Sequence, residues 1–224
     1  MIGCCSVPHT PAFEDTLRTI FVRAGRGEAV STSALADELS VSAPTVSTML
    51  KRLTVAGLVE RTDGHLAALT AHGTVHARAV VRRHRLLETF LARVLDVPWD
   101  EVHAEADVLE HAVSLRLTDR IDRHLGRPTR DPHGDPIPRD GDVDEGWGVR
   151  LDAVPTGSGF HIERVYDRDS AALRHLADLG IHPGVRIDVT GRLPFGGLLW
   201  VRVGTAAHAL GEPLTQLVHG RVVA

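Results

Sequence analysis

The chain has 224 residues, 43% of them hydrophobic, with 25 Lys and Arg against 29 Asp and Glu, enough to bury the core of one large domain or two modest ones. No apolar run approaches the roughly 18 residues of a membrane span, and the start shows no basic stretch followed by an apolar core, so a cytoplasmic location with no membrane partner is expected. The cysteines, Cys4 and Cys5, are adjacent, which is a poor geometry for a bridge and no match to a zinc spacing; they read as reduced residues at a frayed end.

Charge is distributed unevenly. Residues 1–95 hold 11 Lys and Arg against 8 Asp and Glu, a net of +3, whereas the remainder holds 14 against 21, a net of −7. Only the front of the molecule has the sign that suits phosphate, which permits a nucleic-acid partner without requiring one.

Phe13, Leu17, Ile20, Phe21 and Ala24 recur at helical spacing and predict a helix from about Phe13 to Arg26, ended by Gly25 and Gly27. A short helix, Ser33 to Leu39, opens on a Ser or Thr cap. After the tight link Ser40-Val41-Ser42, Pro44 suits a first helical turn, and Thr45 to Ala56 carries Val46, Met49, Leu50 and Leu53 on one side until Gly57 stops it. Leu58 to Arg61 and Leu66 to Leu69, joined by a turn at residues 62–65, give a β-hairpin signal. Helix, helix, turn, helix, hairpin is the order of a winged helix-turn-helix. The outer side of its third helix presents Ser42, Pro44, Thr45, Ser47, Thr48 and Arg52 to a major groove, with Arg61 and His65 of the hairpin within reach of phosphate.

A long helix follows from about Ala71 to Leu95, broken by Val97-Pro98; a second runs from Asp100 or Glu101 to about Ser114 and a third from Leu115 to Leu125. On the first of these, His84 and Glu88 stand at i, i+4; on the second, His103, Asp107, Glu110 and His111 stand at i, i+4, i+7, i+8. At 3.6 residues per turn they form one polar stripe across two neighbouring helices, flanked by Leu86, Leu87, Phe90, Leu91, Val108, Leu109 and Val113. Imidazoles and carboxylates turned inward cost several kcal/mol unless compensated, and a divalent cation compensates them. The apolar positions left over, Phe90, Val94, Leu95, Leu109, Val113, Leu117 and Ile121, exceed what three helices need and suggest a homodimer contact.

Residues 126–159 are rich in Pro, Gly and Asp and read as a linker, with His133 and the acidic run Asp140 to Glu145 solvated. Short β runs at 160–166, 185–190, 198–203, 206–210 and 220–223, with a small helix at 170–179, predict a small barrel. Catalysis is not expected: the ligand helix lacks a His-Glu-x-x-His arrangement, and no Ser/His/Asp set or phosphate loop stands out.

The stretches Leu17-Arg-Thr-Ile20, Ser42-Ala-Pro-Thr-Val-Ser47, Gly57-Leu-Val59, Arg83-His-Arg-Leu-Leu-Glu88, Val102-His103, Glu110-His111, His133-Gly-Asp-Pro-Ile-Pro138 and Gly180-Ile-His-Pro-Gly184 resemble the iron- and manganese-dependent repressors of the diphtheria toxin repressor and manganese transport regulator family. The resemblance implies a mainly α fold with small β parts. Its expected divisions are a winged helix-turn-helix DNA-binding domain (1–72), a helical metal-binding and dimerisation domain (73–130), a linker (131–156) and a Src-homology-3-like, FeoA-like barrel (157–224). It further implies two metal ions per subunit: a primary site of Asp15, Asp107, Glu110 and His111, and an ancillary site of His84, Glu88 and His103 with Asp169 of the barrel. Where some members place a further amide ligand this chain has Ala172, and Arg18 replaces a Glu that helps certain manganese regulators hold a two-metal cluster, so separate sites are expected. Iron-responsive relatives carry Met and Cys where this chain has Asp15 and Asp107. Hard oxygen donors suit Mn(II), with Fe(II) second. The expected function is a metal-activated homodimeric repressor that binds palindromic operator DNA and controls metal-homeostasis genes; a winged-helix regulator responding to an organic effector is the alternative.

Overall fold

The computed structural model describes residues 10–62, 66–139, 141–142, 146–194 and 197–223. It divides into two compact units, Met1–Arg83 with Pro138–Gly146, and His84–Ile137 with Trp147–Ala224.

In the first unit Thr10 precedes α1 (Pro11–Gly25), whose proline lies in the opening turn, where its missing N–H costs nothing. Ser31 caps α2 (Thr32–Glu38) by accepting from the Ala34 amide, and Ser42 caps α3 (Ala43–Val55) by accepting from that of Thr45. Between them Ser40 takes a left-handed backbone, φ 53°, which makes the tight turn of a helix-turn-helix. Strands β1 (Val59–Thr62) and β2 (Leu66–Leu69) pair antiparallel with Val59 opposite Leu69. Phe13, Leu17, Ile20, Leu35, Val46, Leu50, Leu53, Leu58 and Ala67 close one core; of the expected periodic positions Phe21 and Met49 are partly buried against it and Ala24 is exposed. The long helix α4 (Ala71–Val94) starts on the Leu58 backbone: a Cβ on Gly73 would lie 1.9 Å from the Leu58 carbonyl oxygen.

The boundary between the units falls within α4, after Arg83. In the second unit, α4 from His84 onward packs with α5 (Val102–Leu109) and α6 (Leu115–His124) around Leu86, Leu87, Leu91, Val102, Ala106, Ile121 and Ile137. Helix α5 is shorter than expected. Glu110 keeps helical angles as its cap, φ −58° and ψ −32°, and Ser114 opens α6 by accepting from the Leu117 amide. Ile121, expected among the surplus apolar groups, belongs to this core, whereas Val94, Leu95, Val108, Leu109, Leu115 and Leu117 are exposed.

The Pro/Gly/Asp-rich stretch departs most from expectation. Asp131, His133, Asp135 and Ile137 are all buried. Arg85 of α4 donates to the Pro136 carbonyl at 2.6 Å and faces Asp131 and Asp135 at 3.6 and 3.4 Å. Gly134, at φ 88°, sits so close to the next domain's first long strand that a Cβ there would lie 1.9 Å from the Glu163 carbonyl oxygen. Residues 131–137 of the stretch are packed rather than solvated, while Gly126, Arg127 and residues 148–150 are exposed as expected.

After β3 (Val149–Arg150), a 3₁₀ turn at Leu151–Ala153 leads into β4 (Gly159–Val165), α7 (Ser170–Asp178), β5 (Arg186–Arg192), β6 (Leu199–Val203), β7 (Ala206–Leu210), α8 (Glu212–Thr215) and β8 (Val218–Val223). The six strands form one antiparallel sheet in the order β3-β8-β4-β5-β6-β7, which curls over Phe160, Ile162, Leu173, Leu176, Ile187, Val189, Val201 and Val218. A register shift between Ile162 and Arg164 leaves Glu163 where Gly134 meets it.

Candidate metal centre

The expected stripe comes together around a buried centre, with His103, Asp107 and His111 partly exposed at its rim. His84 is 4% exposed, and Glu88 and Glu110 are fully enclosed. The His84 Nε2 atom lies 3.0 Å from Glu88 Oε1 and 3.2 Å from His103 Nδ1, and the latter is 3.1 Å from the same Glu88 oxygen. On the other edge of the ring, His84 Nδ1 lies 2.9 Å from Glu110 Oε2 and 3.5 Å from Asp107 Oδ1. His111 Nε2 stands 3.7 Å from Glu110 Oε1. Neighbouring ligands of an octahedral cation bound at about 2.1–2.2 Å are about 3.0 Å apart, so these donors already hold the edge lengths of a coordination shell.

The barrel carboxylate found beside His103 is that of Asp167 rather than of Asp169. Asp167 Oδ2 lies 3.0 Å from His103 Nδ1. Asp169 is exposed and caps α7, its Oδ1 accepting from the Ala172 amide at 3.0 Å; that commitment turns it away from the cluster. Ala172 lies within α7 and supplies no donor.

His133, expected in solvent, is fully buried against Trp99, with ring centroids 5.7 Å apart. Its Nε2 donates to the Trp99 carbonyl at 2.7 Å, and Nδ1 is the nitrogen left facing the cluster. That nitrogen makes no hydrogen bond among the described residues and points at two carboxylates, 3.9 Å from Glu88 Oε1 and 3.8 Å from Asp167 Oδ2. A divalent cation between them would be held by the nitrogen and both carboxylates at once. A ring fixed through its other nitrogen by a backbone carbonyl is how proteins orient a metal-binding histidine. Glu88 Oε2 is likewise buried without a hydrogen bond. Three donor groups in this unit thus converge closely enough for a metal: His84-Glu88-His103, His84-Asp107-Glu110 and Glu88-His133-Asp167. The residues present fit a divalent cation.

The electrostatics agree. Burial raises the Glu88 carboxyl, but His84 and His103 outweigh it and hold the group below the usual carboxylate range. Burial likewise opposes ionisation of Asp167, and His103 carries it well down. Burial would lower the His103 imidazole, yet Asp167 and Glu88 raise it to about 11. Asp131, enclosed and facing Glu88 and Asp135, is pushed well above its ordinary value; its Oδ1 accepts from the amides of His133 and Asp135, both at 2.9 Å, which sets the turn that aims His133.

In the first unit, Asp15 lies on α1, half-buried. Of the residues expected at DNA, Pro44, Thr45, Thr48, Arg52 and Arg61 are exposed, Ser47 is partly so, and Ser42 caps α3. The Arg52 guanidinium rests 4.7 Å from the centroid of the Phe13 ring. His65 lies outside the described residues, as do Asp140 and residues 143–145; Asp142 is exposed and accepts from the Arg139 amide at 2.7 Å.

Comparison with known proteins gives three consecutive family matches. They are the N-terminal DNA binding domain of iron dependent repressors over residues 9–65, their metal binding and dimerisation domain over 70–139, and a FeoA domain over 149–222. The iron-dependent repressor IdeR of Mycobacterium leprae (strain TN) is 36% identical over 189 residues, 77% of this chain and 81% of its own. A solved manganese-dependent transcriptional repressor in complex with manganese is 43% identical with a TM-score of 0.87, covering 92% of this chain and 97% of that one. The manganese regulator SloR is 30% identical with a TM-score of 0.79, covering 96% and 99%. These relatives are transcriptional repressors rather than enzymes, and none of the described helices is long and apolar enough to cross a membrane. With a winged helix, a buried imidazole and carboxylate cluster and a FeoA domain in that order, the chain belongs to the diphtheria toxin repressor and manganese transport regulator family of metal-dependent transcriptional repressors.

Proposed function

We propose that this chain is a manganese-dependent repressor that binds operator DNA in the cytoplasm as a metal-activated homodimer and controls metal-homeostasis genes, with Fe(II) as the second-choice metal. The observation that carries the reading is the donor chemistry of the buried cluster: carboxylate and imidazole throughout, with Asp107 beside His84 at 3.5 Å where iron-responsive relatives carry sulfur. Hard donors remove the advantage that later, more thiophilic divalent metals gain from a Cys or Met. The 43% identical relative was solved with manganese, which supports the same choice.

Two ions per subunit are proposed. His84, Glu88 and His103 form the ancillary set, with Asp167 in the role expected of Asp169 and His133 as a further donor. Asp107, Glu110 and His111 belong to the primary set, and Asp15 joins it on the resemblance alone. A bound divalent cation supplies the positive charge that this carboxylate-rich cluster lacks. Metal occupancy is expected to raise operator affinity by a population shift rather than a new fold. The exposed Val94, Leu95, Val108, Leu109, Leu115 and Leu117 support a homodimer, which matches a palindromic operator.

The test is fluorescence anisotropy of labelled operator duplex with full-length protein, with and without Mn(II). The proposal expects affinity to rise at least about a hundredfold with manganese, within the span of allosteric coupling energies. Equal affinity in both conditions would contradict it, and a larger gain with Fe(II) than with Mn(II) would reverse the choice of metal.

A further inference from the structure

The recognition helix carries two adjacent cations, Lys51 and Arg52, and the structure treats them differently. At about 100° per residue, Pro44, Thr48, Lys51 and Val55 fall within about 60° of one another, opposite Val46, Leu50 and Leu53, which are buried. Arg52 lies about 100° to the side of Lys51, where its guanidinium stacks on Phe13 at 4.7 Å. Lys51 is exposed in the outward stripe, between Thr48 and Val55 along the helix.

The rest of the stripe is short of donors. Thr48 Oγ1 donates to the Pro44 carbonyl at 3.0 Å, and the hydroxyls of Ser42 and Thr45 share a hydrogen bond of 2.8 Å at the helix start. What Pro44, Thr48 and Val55 can offer a base edge is therefore chiefly hydrocarbon, and Val55 is 91% exposed. A hydrocarbon stripe interrupted by one ammonium group complements thymine methyls flanking a guanine, whose N7 and O6 are the strongest acceptor pair of the major groove. The dimensions agree: Thr48 and Lys51 are about 4.5 Å apart along the helix axis at 1.5 Å per residue, close to the 3.4 Å step between base pairs. No acidic residue lies on α3 to oppose this.

We infer that Lys51, rather than Arg52, is the cation with which α3 reads a base, that the base is guanine, and that Arg52 serves the backbone and the seating of α1 on α3. This assignment rests on the proposal that the chain reads operator DNA.

The experiment is selection of bound duplexes from a randomised library by the manganese-loaded full chain, run on the wild type, Lys51→Met, Lys51→Arg and Arg52→Ala. Methionine keeps the long stem and the helix preference of lysine, and unchanged manganese uptake by calorimetry confirms an intact fold. We expect the wild type to enrich a palindrome with a guanine at one position of each half-site. Lys51→Met should lower that guanine preference about tenfold, Lys51→Arg should keep it, and Arg52→Ala should weaken binding evenly across sequences. A wild type that enriches a palindrome whose guanine preference survives Lys51→Met, or loses it only on Arg52→Ala, overturns the assignment of Lys51 and leaves DNA reading intact. A wild type that enriches no sequence overturns the DNA-reading proposal itself.

Discussion

Arg83 and His84 are adjacent in sequence and both are buried, yet they stand in opposite electrostatic situations. Arg83 meets Glu14 in a direct ion pair inside the first unit, so a charge taken out of water finds its opposite. One residue later, His84 lies among Glu88, Asp107 and Glu110, with Asp131, Asp135 and Asp167 close behind, and the fixed cations nearby are Arg85 and Arg164, both engaged with the Asp131–Asp135 turn. The first arrangement is complete within the polypeptide, whereas the second has an excess of anion that imidazoles offset only by holding protons. Buried polarity therefore divides into groups that hold a fold together and groups that hold a ligand, and the balance of charge tells them apart.

The sharpest way to break this contrast is to remove one carboxylate from each. Glu88→Ala takes away the oxygen against which His84 and His103 both rest, and manganese affinity at that site should fall about a thousandfold, more than the tenfold to hundredfold typical of outer-shell partners. The share of the manganese-induced rise in melting temperature that this site supplies should then be lost. Glu14→Ala should instead cost about 2–3 kcal/mol by leaving Arg83 buried without that partner, with the same loss in metal-free and metal-loaded protein. Calorimetric titration and thermal melts of both variants read this directly. A manganese-dependent loss in Glu14→Ala, or an undiminished titration in Glu88→Ala, would collapse the distinction.

Protons sharpen it next. His103 is held at about 11 in the fold against 6.5 unfolded, so its stabilising contribution is complete below about pH 6.5 and is lost as pH rises through about 11. A metal must displace that proton. Manganese affinity should therefore climb with pH between 6 and 8, by up to about tenfold per unit, with close to one proton released per ion bound. Titrations in buffers of different ionisation enthalpy count that proton, and a flat affinity across this range would show that His103 is not displaced.

The smallest effect separates two aspartates. Asp169→Ala should cost about 1 kcal/mol through loss of the α7 cap and leave manganese affinity unchanged, while Asp167→Ala should weaken it at least tenfold.

Much of this was legible in the sequence, for identifiable reasons. Apolar residues at helical spacing located α1, α3 and α4, and the i, i+4 placements of His84 with Glu88 and His103 with Asp107 located the heart of the cluster, because spacing along a helix fixes which side chains share a face. His133 was missed because Pro, Gly and Asp in a row read as a solvated loop; its burial comes from Arg85, nearly fifty positions upstream, which gathers Asp131, Asp135 and the Pro136 carbonyl around one guanidinium. An Arg in mid-helix together with an Asp-x-His-Gly-Asp turn was the available signal. The resemblance implies Asp169 at the ancillary site, whereas an Asp immediately before Ser170 and two alanines is an N-cap signature, and that residue's carboxylate caps α7. The burial of His133 and the approach of Asp167 to His103 are pairings between distant stretches, which no local period encodes.

The central claim is that the anionic cluster around His84 is completed by a divalent cation of hard-donor preference. Calorimetric titration of purified, metal-free full-length protein with Mn(II) near neutral pH tests it most directly: saturable binding of two ions per subunit at micromolar concentrations or below is the result expected, and the absence of any binding heat across buffers of different ionisation enthalpy would contradict it.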